Sequence, residues 1–155
     1  DTSLNLLDKA DEEEREALGS FPYQDNQICL HTDTQVLPKN RSAWASWNYR
    51  ISGDVTKAAN ITYNMNMLQG IESDKTFCVS LNQLDALDPE KVIYRTTYRH
   101  PVFQPGRDQI QSQHSRFLRR RGVSYCGAYW GYGFHEDGVS SALSVCQAFD
   151  MDPAF

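Results

Sequence analysis

The chain has 155 residues, 40% of them apolar, and a net charge of −5. That length suits one domain with a real core, and the negative balance argues against a general nucleic-acid footprint, which needs concentrated positive charge. With no apolar run of transmembrane length and no signal peptide, the expectation is a soluble, cytoplasmic protein.

Residues 3–18 read as a helix in two pieces. Leu4 and Leu7 lie in the first, Asp11 caps the acidic second piece, and Gly19 stops it. A strand follows over 27–34, and Pro38, Lys39 and Asn40 make a turn. From Ala43 to Ile51, Ala45, Trp47, Tyr49 and Ile51 alternate with Ser46, Asn48 and Arg50, which predicts a second strand before a turn at Gly53-Asp54. Ile61, Tyr63, Met65 and Met67 alternate with Thr62, Asn64 and Asn66 in the same way. Further strands are predicted over 77–81 and 92–98. Four strands in succession imply a largely antiparallel sheet.

Helical spacing returns over 107–121, with Ile110, His114, Phe117 and Leu118 on one face. Arg116, Arg119, Arg120 and Arg121 lie toward its end, a cluster that a solvated helix terminus explains. A strand at 123–127 then leads into the loop Tyr129-Trp130-Gly131-Tyr132-Gly133-Phe134 and a closing helix whose face is Val139, Ala142, Leu143, Cys146 and Phe149. The fold class expected is α+β: a mostly antiparallel or mixed sheet with flanking helices and a C-terminal strand-loop-helix.

The loop is the richest feature. Its glycines let backbone approach a ligand closely, Asp137 can cap the helix, and the N–H groups of Gly138, Val139 and Ser140 would face an aromatic or anionic guest. The alternative is a capped helix after an aromatic loop that binds nothing. His31 and Asp33 supply an imidazole and a carboxylate on one strand face, material for an acid/base pair or for structural hydrogen bonding. His135-Glu136-Asp137 is a poor metal set, because consecutive turn residues rarely converge on one ion, and no metal is expected. Cys29, Cys78, Cys126 and Cys146 are widely spaced without a Cys-x-x-Cys, so zinc and a disulfide frame are disfavoured. A cysteine hydrolase from Cys126 with His135 or His31 lacks a placed thiol and orienting base. Trp44, Trp47, Tyr49, Tyr63, Met65 and Met67 can fill a core or line an apolar cavity.

Five segments in order carry a resemblance. They are His31-Thr32-Asp33-Thr34, Ala43-Trp44-Ala45-Ser46-Trp47-Asn48-Tyr49, Met65-Asn66-Met67-Leu68-Gln69-Gly70, Tyr98-Arg99-His100-Pro101-Val102-Phe103, and the run from Cys126 to Gly138. Together, from about Asp1 to about Phe149, they resemble flavin-containing amine-oxidase-like oxidoreductases, the type found beside or fused to cyclopropane-fatty-acid synthases.

The resemblance implies FAD held by an N-terminal Rossmann unit and covered at its isoalloxazine by a C-terminal strand-loop-helix that completes that FAD domain. No Gly-x-Gly-x-x-Gly occurs in this chain, which begins at Asp1. The expectation is therefore a substrate-domain-like part over 1–122, an FAD-capping part over 123–149 and a tail over 150–155. An N-terminal FAD-binding domain or partner chain would supply the rest.

By the same resemblance, Gly127, Ala128, Gly133, Glu136, Asp137, Gly138 and Val139 shape the flavin site, and Trp47, Tyr49, Tyr63 and Met65 line the substrate cavity. His31 and Asp33 are the candidate catalytic pair. The implied reaction is hydride removal to flavin from an apolar, fatty-acyl-type small molecule or lipid, with transient membrane-surface contact and no nucleic acid. The competing expectation is a non-catalytic binding or interaction module that does not hold flavin by itself.

Overall fold

The computed structural model describes residues 2–51 and 60–151, and the turn expected at Gly53-Asp54 lies outside them. The chain divides into two compact units, Asp1–Gln24 with Pro101–Phe155, and Asp25–His100. The division falls at residues 24/25 and 100/101 rather than at 122/123. Residues 123–149 thus belong with the N-terminal helices.

An antiparallel sheet of five strands makes the class α+β, as the alternating segments predict. Its strands are β1 (Tyr23–His31), β2 (Trp47–Arg50), β3 (Asn60–Asn64), β4 (Cys78–Leu81) and β5 (Val92–Pro101), in the spatial order β2-β3-β4-β1-β5. The register aligns Asn48, Thr62, Ser80 and Cys29 across four strands, with Asn64, Cys78 and His31 beside them on the same face. Of these, Cys29, His31, Thr62, Asn64, Cys78 and Ser80 are buried. Val36 and Leu87, with Leu84 and Val92 at the margin, pack on Cys29 and cover this face. The opposite face carries Trp47, Tyr63, Val79 and Leu30 in one row, each half-buried or exposed. The inward face of the sheet is thus the more polar one.

The strand-like alternation through Met65 and Met67 does not continue as a strand. The Asn64 side chain accepts from the Met67 N–H and starts a short helix, α3 (Met65–Gln69), which Gly70 ends in the left-handed region at φ 64°. The Asn66 side chain then ties this turn to Phe77, Ile71 and Lys75.

In the other unit, α1 (Thr2–Asn5) precedes α2 (Glu12–Gly19). Asp11 caps α2 as expected. Its carboxylate accepts the Glu14 N–H at 2.9 Å, and the Glu14 carboxylate accepts the Asp11 N–H at 2.8 Å. The other Glu14 oxygen accepts from the Tyr125 hydroxyl at 3.0 Å, so a carboxylate only 2% exposed is fully engaged. Burial, and then this bond to Glu14, push the Tyr125 phenol up to about 12. Ala17, Leu18, Phe21, Phe117, Tyr125, Tyr129 and Trp130 form the core.

The single helix expected over 107–121 is broken. It begins as α4 (Arg107–Gln111), tightens to a 3-10 turn at His114–Phe117, and stops where Arg119 and Arg121 enter the left-handed region at φ 55° and 51°. The arginines there are not simply a solvated helix end, because Arg120 pairs with Asp11 at 2.8 Å and Glu13 at 2.7 Å, and Arg116 with Glu13 at 3.1 Å. The strand expected at 123–127 does not form either. The Tyr125 N–H goes to the Phe117 carbonyl and the Tyr125 carbonyl to the His114 ring, so neither group is free for a ladder, and Val123 makes only an isolated bridge with Arg120. The chain closes with α5 (His135–Ala148). Among the described residues no helix is long and apolar enough to cross a membrane.

Candidate functional site

A 3-10 turn at Ala128–Trp130 and the glycine-bounded turn after it deliver the chain to α5. Trp130 anchors this turn, stacked on His114 at 4.5 Å between ring centres and edge-on to Phe21 at 5.6 Å. Gln111 clamps it from below by donating to the carbonyls of Tyr129 and Gly131 at 2.9 and 2.6 Å. The Ala128 carbonyl accepts from both Gly131 and Gly133, while Tyr132 and Phe134 are left exposed.

The helix begins earlier than expected, which changes the roles of its first residues. Phe134 is the N-cap and Asp137 occupies the third helical position. Asp137 therefore reaches back, its carboxylate accepting the N–H groups of Tyr132 at 3.0 Å and Phe134 at 2.8 Å. The Gly138 N–H bonds to the Phe134 carbonyl within the helix and does not face a guest. The N–H groups without an intrahelical acceptor are those of His135, Glu136 and Asp137.

Of the residues expected at the flavin, Gly127 is held by Ser141, whose hydroxyl accepts from its N–H at 2.9 Å. A β-carbon at Gly138 would meet Ala128 only at ordinary contact distance, 3.8 Å, so α5 packs on the 3-10 turn here without requiring a glycine. Gly127, Ala128, Asp137 and Gly138 therefore build the turn, whereas Gly133, Glu136 and Val139 lie on its open side with Tyr132 and Phe134. Gly133 has φ 93°, and a side chain there would press on Phe103.

Sequence reasoning missed Arg107. Its guanidinium lies 3.6 Å from the centre of the Phe103 ring and 5.7 Å from that of Tyr132, and its Nη1 is buried without a hydrogen-bond partner. The helical spacing of 107–121 gave no sign of it, since the contact depends on Phe103 folding back beside the loop.

Gly131 makes a sharper test of the turn. A β-carbon there would collide with the Asp137 carboxylate, so Gly131→Ala should expel that side chain from its two N–H groups. We expect a loss of about 1–3 kcal/mol in urea denaturation, with Gly138→Ala nearly neutral.

In the sheet unit, Trp47 and Tyr63 are a cross-strand pair in edge-to-face contact at 5.7 Å. Tyr49 is next to them on β2, and Trp47 and Tyr49 are 59% and 64% exposed. Met65 is not in this row, because it opens α3.

His31 and Asp33 are 0% and 1% exposed. The Asp33 N–H donates to His31 Nδ1 at 3.1 Å, which puts the ring proton on Nε2, where it is donated to Ser80 Oγ at 2.8 Å. Ser80 then donates to Thr62 Oγ1, 2.8 Å away, which also accepts from Gln83. Burial holds the His31 ring below its ordinary value against the charge of Asp33. The Asp33 carboxylate turns away from the ring, accepting from Gln35 N and Nε2 and from Asp88 N, and pairing with Lys91 at 3.5 Å. Burial alone would raise its pKa, but those donors and Lys91 hold it below the ordinary carboxylate value. This tautomer cannot take a proton from Ser80. The pair is a sealed hydrogen-bond network, and neither member is placed to touch a substrate.

Among the described residues His, Cys, Asp and Glu do not gather in groups of three that could hold a metal, and no thiol bonds a histidine. No protein-family model matches the chain, and no curated protein matches it.

Proposed function

We propose that this chain is the substrate-binding and flavin-capping part of an FAD-dependent, amine-oxidase-like oxidoreductase acting on an apolar, fatty-acyl-type substrate. The observation that carries the reading is the entrance to α5. There an exposed aromatic turn built on Gly131 and Gly133 stands beside three N–H groups without intrahelical acceptors. These groups suit one edge of a flat, electron-rich ring, and Tyr132 and Phe134 suit its face. Arg107 adds a cation next to Tyr132, favouring a ring that gains negative charge.

When bound, the flavin would supply the hydride acceptor. The residues of this turn would orient the ring and exclude water from it, and within the sheet unit Trp47, Tyr49 and Tyr63 present an apolar face of their own that suits an apolar molecule. His31 and Asp33 have no part in this version, because their network is closed.

The second reading is a binding or interaction module without flavin, and it is favoured by the burial of His31 and Asp33, which closes that pair to a substrate. Titration of the chain with FAD and with lumiflavin, followed by quenching of flavin fluorescence, separates the two. Saturable quenching by both supports flavin capping. No saturation by either leaves the module reading.

A further inference from the structure

A hollow of about 480 Å³ in the sheet unit lies at the free edge of β2 and is unlike the polar interior behind it. That volume is within the range of small-ligand sites. It is lined at the sheet edge by Val36 and Leu37, both buried, and by Tyr49 and Ile51, both exposed. The loop that carries Val36 and Leu37 is braced, because the Leu37 N–H reaches the Thr34 carbonyl and the Trp44 indole donates to the Pro38 carbonyl at 2.8 Å.

The polar groups of the lining fall into two kinds. Gln35 and Asn48 are committed elsewhere, Gln35 to Asp33 and the Ala86 carbonyl, Asn48 to the carbonyls of Ala45 and Thr62. Among the described residues Lys39 and Arg50 make no ion pair and the lining holds no carboxylate. Two cations at the rim of an apolar trough have the chemistry of a receptor for an amphiphilic anion.

We propose that this hollow binds an organic carboxylate, its apolar part lying on Val36, Leu37, Tyr49 and Ile51 and its charged head between Lys39 and Arg50. The site is independent of flavin. It shares Tyr49 with the aromatic surface named above but not Trp47 or Tyr63.

Calorimetric titration of the full chain with octanoate and with 1-octanol tests it without any cofactor. The expected result is saturable binding of one octanoate, with 1-octanol several-fold weaker. Lys39→Gln and Arg50→Gln should each weaken octanoate about threefold to tenfold and leave 1-octanol unchanged. Unchanged 1-octanol binding shows that the variants keep the trough intact. Equal binding of octanoate and 1-octanol, octanoate binding indifferent to both substitutions, or no saturable octanoate binding would overturn the proposal. Displacement of octanoate by inorganic phosphate alone at millimolar concentration would also overturn it, because the apolar lining would then contribute nothing.

Discussion

Asp33→Ala should lower the stability of the chain by about 3–5 kcal/mol, the cost of removing one side of a buried, charge-assisted network. The substitution leaves the N–H groups of Gln35 and Asp88 without their acceptor, takes one of two acceptors from the Gln35 amide, and frees Lys91 from its buried partner. Asp33→Asn should cost less, because the amide keeps the shape and one acceptor oxygen.

The same network sets a pH profile. His31 has its folded pKa lowered from 6.5, so its contribution is fully present above that value. It is lost as the pH falls from 6.5 through the folded value, because the unfolded chain takes up the proton first. Protonation would also place a second N–H on Nδ1 against the Asp33 N–H. Asp33, lowered from 3.8, contributes above 3.8 and loses its contribution below it. Urea midpoints should therefore begin to fall as the pH drops below 6.5, and fall again as it drops below 3.8. In His31→Gln the upper fall should disappear and the lower one remain. An unchanged upper fall would assign it to another group.

Trp130→Ala should cost about 3–5 kcal/mol, by lost burial and by the cavity it leaves. Trp130 meets four rings, His114, Phe117, Phe21 and Tyr129, with centres 4.5–5.8 Å apart. It is also the residue from which the glycine turn departs, so its loss should loosen the turn as well as the core. Trp130→Phe, which keeps most of the contacts, should cost much less. If Trp130→Ala shifts the urea midpoint no more than Gly138→Ala does, the turn is not anchored as described.

Local signals with a side-chain mechanism were legible in the sequence. Asp11 followed by Glu14 predicts a capped helix, and the cap forms with both partners. The alternations at 43–51, 61–67, 77–81 and 92–98 predict strands and an antiparallel sheet, and strands form over the shorter Trp47–Arg50 and Asn60–Asn64 and over Cys78–Leu81 and Val92–Pro101. What alternation cannot supply is which face turns inward. Thr62, Asn64 and Ser80 are buried because they satisfy one another and their neighbours, whereas Trp47 and Tyr49 stand exposed.

The missed elements share a cause. At Met65 the period of two continues on paper, but Asn64 caps a turn that Gly70 closes. At 123–127 the apolar residues suit a strand, yet the ring of His114, eleven residues earlier, takes the Tyr125 carbonyl. In both places a side chain competing for backbone groups overrides the periodic pattern. The candidate site divides in the same way. The loop and helix were legible from glycines and helical spacing, whereas the cap is framed by Asp137 reaching back three residues to Phe134, and Arg107 is placed by Phe103 four residues before it and by Tyr132 across the turn.

The central claim is that the entrance to α5 receives the edge of a flavin ring. The most direct measurement is a titration of isotopically labelled chain with lumiflavin, which carries the ring without the ADP half, followed by backbone amide shifts. The account predicts saturable shifts centred on His135, Glu136 and Asp137, with Tyr132 and Phe134 beside them, weakened in Gly133→Val. Shifts confined to other parts of the chain, or none at ligand concentrations up to saturation of the solution, would contradict it.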